Sequence, residues 1–175
     1  MEIKEAIRTI SDFPKEGIQY RDITTLLQNG KAFKETIDIF HDRYINRSID
    51  IIAGIEARGF IIGSALAYAL GTGFVPIRKQ GKLPSEVYTK TYQLEYGSDT
   101  IEMHKDSIKE GARVVLVDDL LATGGTILAA ASLIRDAGGI IDELAFIVDL
   151  PDVGGHSKLT ESGYPFYYIC QFEGE

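Results

Sequence analysis

Two adjacent aspartates, Asp118 and Asp119, close an apolar run and lead into a short loop of small and hydroxyl residues. The segment reads Val114-Val-Leu-Val-Asp-Asp-Leu-Leu-Ala-Thr-Gly-Gly-Thr126. Gly124 and Gly125 lack Cβ atoms, so a backbone there can approach a ligand closely. Thr123 and Thr126 add hydroxyl donors, and a helix starting near Gly125 would present free N–H groups and a positive dipole end. Ala122 to Thr126 therefore predict a phosphate cradle. It is not a Walker loop, because no lysine follows the glycines. Asp118 and Asp119 would repel a phosphate, which places them against another part of the ligand. A ribose diol offers them hydroxyl donors, and Mg²⁺ would neutralise their charge. Acids for the sugar and amides for the phosphate predict a site for phosphorylated ribose.

Cations stand elsewhere. Arg58, in Ala53-Gly-Ile-Glu-Ala-Arg-Gly-Phe60, is placed at a helix start, where a guanidinium can clamp an anion bidentately. Arg78, Lys79 and Lys82 cluster in Ile77-Arg-Lys-Gln-Gly-Lys-Leu-Pro84, which Gly81 and Pro84 mark as a loop, with Gln80 pointing outward. Glu95, in Tyr92-Gln-Leu-Glu-Tyr-Gly97, reads by itself as an exposed residue. His41, His104 and His156 have no metal-ligand spacing and read as surface or capping residues. The only cysteine, Cys170, reads as a buried thiol on a late strand, which excludes an intramolecular disulfide and fits a reducing cytoplasm.

These residues need elements to hold them. Ile49–Ala53, Gly73–Ile77, Val114–Val117, Leu144–Leu150 and Phe166–Cys170 read as strands. Gly59–Leu70, closed by Gly71, and a helix carrying Ile127, Ala131 and Ile134 up to Gly138-Gly139 lie between them. Helical periodicity also covers Met1–Ile10 and Lys31–Ile45. Alternating strands and helices predict an α/β fold, a mainly parallel sheet flanked by helices. Ligands of such sheets sit beyond the carboxyl ends of the strands, here the turns after Ala53, Ile77 and Val117. The 175 residues show no repeat or linker and predict a single domain over 1–175. With 45% apolar and 25% charged residues the composition is that of a soluble globular protein. No apolar run reaches the roughly 18 residues of a membrane span, and Met1–Ile10 has no signal-like apolar core. A net charge of −8 argues against a sequence-independent nucleic-acid binder.

The Val114–Thr126 segment resembles the PRPP-binding signature of type I phosphoribosyltransferases. The resemblance implies a parallel α/β core, a hood (here mainly residues 1–35), and transfer of ribose 5-phosphate from PRPP to a nitrogen nucleophile. Mg²⁺ would be held through PRPP and water, with no direct protein ligand. The basic loop, the Arg58 turn, the Leu94-Glu-Tyr-Gly97 segment and Asp12-Phe-Pro-Lys-Glu-Gly-Ile-Gln-Tyr-Arg-Asp-Ile23 resemble the adenine-specific members, from near residue 13 to Leu150. This implies salvage of adenine to AMP in a cytoplasmic homodimer, with no nucleic-acid or membrane partner. It gives the pyrophosphate to Arg58, Arg78, Lys79 and Lys82, the ribose hydroxyls to Asp118 and Asp119, and the 5-phosphate to Ala122–Thr126. Tyr20 and Leu150 would sandwich adenine while backbone near Gln19 and Arg21 reads its edge. Glu95 would act at N7 as general acid/base, on a flexible loop of about 82–97, and Glu56–Ala57 would be a cis peptide. Where some relatives have Phe, Tyr20 brings a hydroxyl that needs a partner. The rivals are a family member acting on a 6-oxopurine or pyrimidine, and a PRPP-sensing regulator of transcription. The latter would need an added DNA-binding element or basic surface.

Overall fold

The computed structural model describes residues 2–174. Its elements run β1 (Arg8–Ser11), β2 (Gln19–Asp22), α1 (Thr24–Gln28), α2 (Gly30–Tyr44), β3 (Ile51–Ile55), α3 (Arg58–Leu70) and β4 (Gly73–Lys79). They continue as β5 (Val87–Gln93), β6 (Ser98–His104), β7 (Arg113–Leu121), α4 (Gly125–Asp136), β8 (Ile140–Asp149), α5 (Gly155–Ser162) and β9 (Phe166–Gln171). The strands β5-β6-β4-β3-β7-β8-β9 form one seven-stranded sheet. From β4 to β9 the pairing is parallel, and the β5–β6 hairpin adds antiparallel strands at the β4 edge.

The apolar runs become central strands because both faces are covered. Leu116 on β7 faces α4 and α5 with Ile127, Ala131 and Leu159, while Val115 and Val117 face α1–α3 with Leu26, Phe40, Ile62 and Leu66. Each buried side chain of this size contributes about 1.5–3 kcal/mol. α3 ends on Gly71 in the left-handed region at φ 70°, as the sequence suggested. On the edge of this layer, Glu143 of β8 accepts two bonds from Arg43 (2.6 and 2.7 Å) and one from the Tyr44 hydroxyl (2.7 Å). Burial opposes its ionisation, but Arg43 and Tyr44 outweigh that and hold the Glu143 carboxyl below its usual range.

Three expectations are corrected. Met1–Ile10 is not a helix: Ile3–Ala6 is a single 3₁₀ turn and Arg8–Ser11 pairs with β2 (Met1 lies outside the described residues). The backbone groups of Arg8–Ser11 find partners across the hairpin, and that pairing prevails over local periodicity. The strand through Val117 does not stop there. β7 continues to Leu121 because β8 runs beside it to Asp149. Residues 82–97 are not loop throughout; Val87–Gln93 form β5, in register with β6 from Val87↔His104 to Gln93↔Ser98.

Asp22 fixes where the N-terminal hairpin meets α1. It accepts from the Thr24 hydroxyl (2.6 Å) and amide (2.9 Å) and pairs with Arg8. The Thr24 hydroxyl, then Arg8, draw its carboxyl down to about 2. A folded value below the unfolded one (~3.9) means that the stabilisation is present above pH ~4 and is lost as pH falls towards ~2. In urea titrations the wild type should therefore lose stability faster than Asp22→Asn across this window. Parallel profiles would contradict the assignment.

Candidate active site

The carboxyl ends of β3, β4, β7 and β8 converge on one cleft. Asp118 and Asp119 lie inside β7, with Asp118 opposite Phe146, so the neighbouring strand fixes their directions. Asp119 is buried, and Arg58, the first residue of α3, places Nε 2.7 Å from its Oδ2. Burial, and then the like charge of Asp119, push the Asp118 carboxyl well above its usual range. Burial also raises Asp119, with Arg58 opposing it. Gly59 permits this close packing. A Cβ there would lie 2.9 Å from the Val117 carbonyl and 3.2 Å from Asp118 Oδ1.

The predicted cations are present, but each faces a carboxylate of the chain. Arg78 Nη2 is 3.2 Å and Lys82 Nζ 3.6 Å from Glu56 Oε2, and the Lys79 amide donates to Glu56 Oε1 at 2.6 Å. Lys79 Nζ pairs with Asp99. Burial opposes ionisation of Glu56, yet the Lys79 amide and Arg78 outweigh it and lower its value. Asp99 is lowered chiefly by Lys79. The Glu56–Ala57 peptide is cis, and Gln80 is exposed. Glu56, Ala57, Arg58, Arg78, Lys79 and Asp118 line a cavity of about 190 Å³.

Beyond β7, Gly124 takes φ 83° and α4 starts at Gly125. Ala122, Thr123, Gly124 and Thr126 line a small hollow of about 90 Å³, which shares Asp118 and Thr126 with the cationic cavity. The Thr126 hydroxyl donates to the Tyr92 hydroxyl at 3.1 Å, joining this loop to the β5–β6 hairpin. A third cavity, about 570 Å³, gathers Gln19, Tyr20, Arg21, Glu95 and Leu150, and shares Ala122 and Thr123 with the hollow. The Tyr20 hydroxyl finds its partner in Arg58 Nη1, and Phe13 packs edge-on to its ring at 5.1 Å. Glu95 is exposed on the hairpin turn. The predicted site residues other than Lys82 and Gly125 thus line three spaces that share residues: one cationic, one rich in small residues and backbone, one more apolar.

Residues 22–157 match the model of the phosphoribosyl transferase domain. An adenine phosphoribosyltransferase of Chlorobium phaeobacteroides strain BS1 is 59% identical over the whole of both chains. The chain belongs to the adenine phosphoribosyltransferase family. Solved members of the family superpose closely. The enzyme of Thermoanaerobacter pseudethanolicus gives a TM-score of 0.92 at 51% identity, covering 98% of each chain. That of Saccharomyces cerevisiae, complexed with an iminoaltritol bisphosphate and adenine, gives 0.90 at 40% identity, covering 96% of each.

Sequence reasoning missed Glu56 and Tyr92 as lining of this cleft and Asp99 as the partner of Lys79. Tyr92 and Asp99 face each other across the hairpin, a pairing recoverable only once Val87–Gln93 is recognised as a strand. His156 was misread as a plain surface or capping residue; its Nδ1 lies 2.6 Å from the fully buried Asp149. Replacing Gly59 by alanine should push α3 off β7, with a loss of about 1–3 kcal/mol in urea unfolding. An unchanged midpoint would show that the helix does not need this approach.

Proposed function

We infer that the chain converts adenine and PRPP to AMP and pyrophosphate in purine salvage. The observation that carries the reading is the adjacency of the three cavities, each of which shares lining residues with the next. A base in the large one and a phosphate in the small one would place the reacting carbon beside Asp118, next to the cationic cavity. We propose that Ala122–Thr126 hold the 5-phosphate by amide and hydroxyl donors, and that Asp118 and Asp119 accept from the ribose diol. Arg58, Arg78, Lys79 and Lys82 would bind pyrophosphate, the last three by exchanging Glu56 and Asp99 for its oxygens. The exchange keeps every cation paired before and after binding, and the cost falls on Glu56 and Asp99, which give up their partners.

Two adjacent carboxylates pushed towards neutrality form a donor set that a divalent cation at the diol would relieve, so the residues fit Mg²⁺ held mainly through PRPP and water. When bound, that ion offsets charge growing on the departing pyrophosphate. The protein does the rest. Tyr20 and Leu150 would hold adenine between them, and backbone of Gln19 and Arg21 would read its edge. Adenine bearing its proton on N7 offers the N9 lone pair to the anomeric carbon. As that bond forms and the bond to the pyrophosphate oxygen breaks, Glu95 accepts the N7 proton and, being exposed, releases it to water. Arg58 lies where it would meet charge on the leaving group while still touching Tyr20 on the base side.

We further propose a single domain over 1–175 with a hood of roughly 1–35, a flexible segment of about 82–97, and a cytoplasmic homodimer. A purely small-molecule role is in keeping with the acidic balance, and among the described residues no helix is long and apolar enough to cross a membrane. The test is to mix protein, PRPP and Mg²⁺ with adenine, hypoxanthine, guanine or uracil. AMP and pyrophosphate should form with adenine far faster than nucleotide with the others, and Glu95→Gln should lower kcat by roughly 10²–10⁴. Preference for another base would overturn the substrate, and full kcat in Glu95→Gln would remove Glu95 from the chemistry.

A further inference from the structure

Asp149 is a buried acid outside the roles proposed above. Asp149, the last residue of β8, is fully buried, and its Oδ2 accepts from His156 Nδ1 at 2.6 Å and from Gln171 Nε2 at 2.8 Å. Facing a carboxylate oxygen, Nδ1 is the nitrogen that carries the proton. The imidazole also packs edge-on against Phe166 at 5.1 Å, so both its position and its tilt are set.

His156 is the second residue of α5, and the first, Gly155, lies against the small-residue loop that follows β7. The Gly155 amide donates to the Ala122 carbonyl at 2.8 Å. Contact is so close that a Cβ on Gly155 would collide with that carbonyl and lie 2.9 Å from the Gly124 amide nitrogen. From the other side, a Cβ on Gly124 would touch Gly155 Cα at 3.2 Å and Leu159 at 3.4 Å. The start of α5 thus forms the rear wall of the loop, and the loop can be no better placed than α5 is.

We propose that His156 and Asp149 are positioning residues for the phosphoribosyl donor. Their bond orients the first turn of α5 and so holds Ala122–Gly124 in the shape that receives the 5-phosphate. Apolar packing through Leu159 would keep α5 near the sheet, but it has no direction. The charge-assisted bond from His156 sets the angle at which Gly155 meets Ala122. The same carboxylate precedes Leu150, whose amide donates to the Leu121 carbonyl at 3.0 Å, so β8 and the end of β7 are fixed together at this corner.

The inference rests on the phosphate role proposed for Ala122–Thr126. Its test is steady-state kinetics on His156→Ala, His156→Asn and Gly155→Ala, with folding checked by circular dichroism. A displaced cradle should raise KM for PRPP roughly tenfold in His156→Ala, since small misplacements of a positioning group carry large kinetic penalties. KM for adenine and kcat at saturating PRPP should stay within about twofold, the pattern of lost donor binding. His156→Asn, which can still donate to Asp149, should restore most of the PRPP affinity. Gly155→Ala, which leaves the His156–Asp149 pair intact but presses on Ala122, should reproduce the split. That variant tests whether the start of α5 shapes the loop; if His156→Ala does not fold, His156→Phe, which fills the place of the ring without the Nδ1 donor, decides the role of the bond by the same split. An unchanged KM for PRPP in the folded variants, or an equal rise for adenine, would overturn the proposal. A wild-type protein that makes no AMP would instead defeat the functional reading on which it rests.

Discussion

The ion pair between Arg58 and Asp119 joins the start of α3 to the end of β7, and most of the cleft is arranged around it. Two neighbouring carboxylates carried into a buried strand end repel each other and lose their hydration, so burial and like charge drive them towards protonation. Arg58 is the only cation paired with either among the described residues. It can reach Asp119 because Gly59 lets the helix settle onto the Val117 carbonyl. The same guanidinium donates to the Tyr20 hydroxyl, which ties β2 to the end of β7. Moving Arg58 would therefore disturb three things at once: the acids, the seating of α3 and the position of Tyr20.

Charge elsewhere in the cleft follows the same logic of provisional pairing. Glu56 gathers Arg78, Lys82 and the Lys79 amide, and Asp99 takes the Lys79 ammonium. The acidic chain thereby keeps a cluster of cations in place without leaving it unpaired. An anionic ligand would compete with carboxylates already within about 4 Å of those cations. Its affinity would reflect the difference between two sets of ion pairs and not the attraction of unpaired cations alone.

What could be read in the sequence divides along physical lines. Buried parallel strands are unbroken apolar runs, so the runs Ile49–Ala53 and Val114–Val117, which overlap β3 and β7, were visible, as was the glycine that ends α3. The loop from Ala122 to Thr126 was visible because its chemistry is local: small residues, hydroxyls and a helix start in consecutive positions. Features that depend on cross-chain partners were not. Arg8–Ser11 is a strand because Gln19–Asp22 pairs with it, and β7 outlasts Val117 because β8 continues beside it. The alternation in Val87–Gln93 was open to reading as a strand, but its partner at Ser98–His104 gives it meaning. Glu56 and Asp99 became site residues only when the fold brought the cations to them, and His156 only when β8 brought Asp149. The base-side assignments of Tyr20, Glu95 and Leu150 came from resemblance, and they meet in one cavity.

The central claim is that the chain holds a phosphorylated ribose with its phosphate at Ala122–Thr126 and its diol at Asp118 and Asp119. A crystal structure of the protein with AMP tests it most directly. The account predicts phosphate oxygens within hydrogen-bond distance of the amides and hydroxyls from Ala122 to Thr126, both ribose hydroxyls on the two aspartates, and the purine between Tyr20 and Leu150. AMP bound with its phosphate among Arg78, Lys79 and Lys82 instead, or with its ribose away from Asp118 and Asp119, would contradict it.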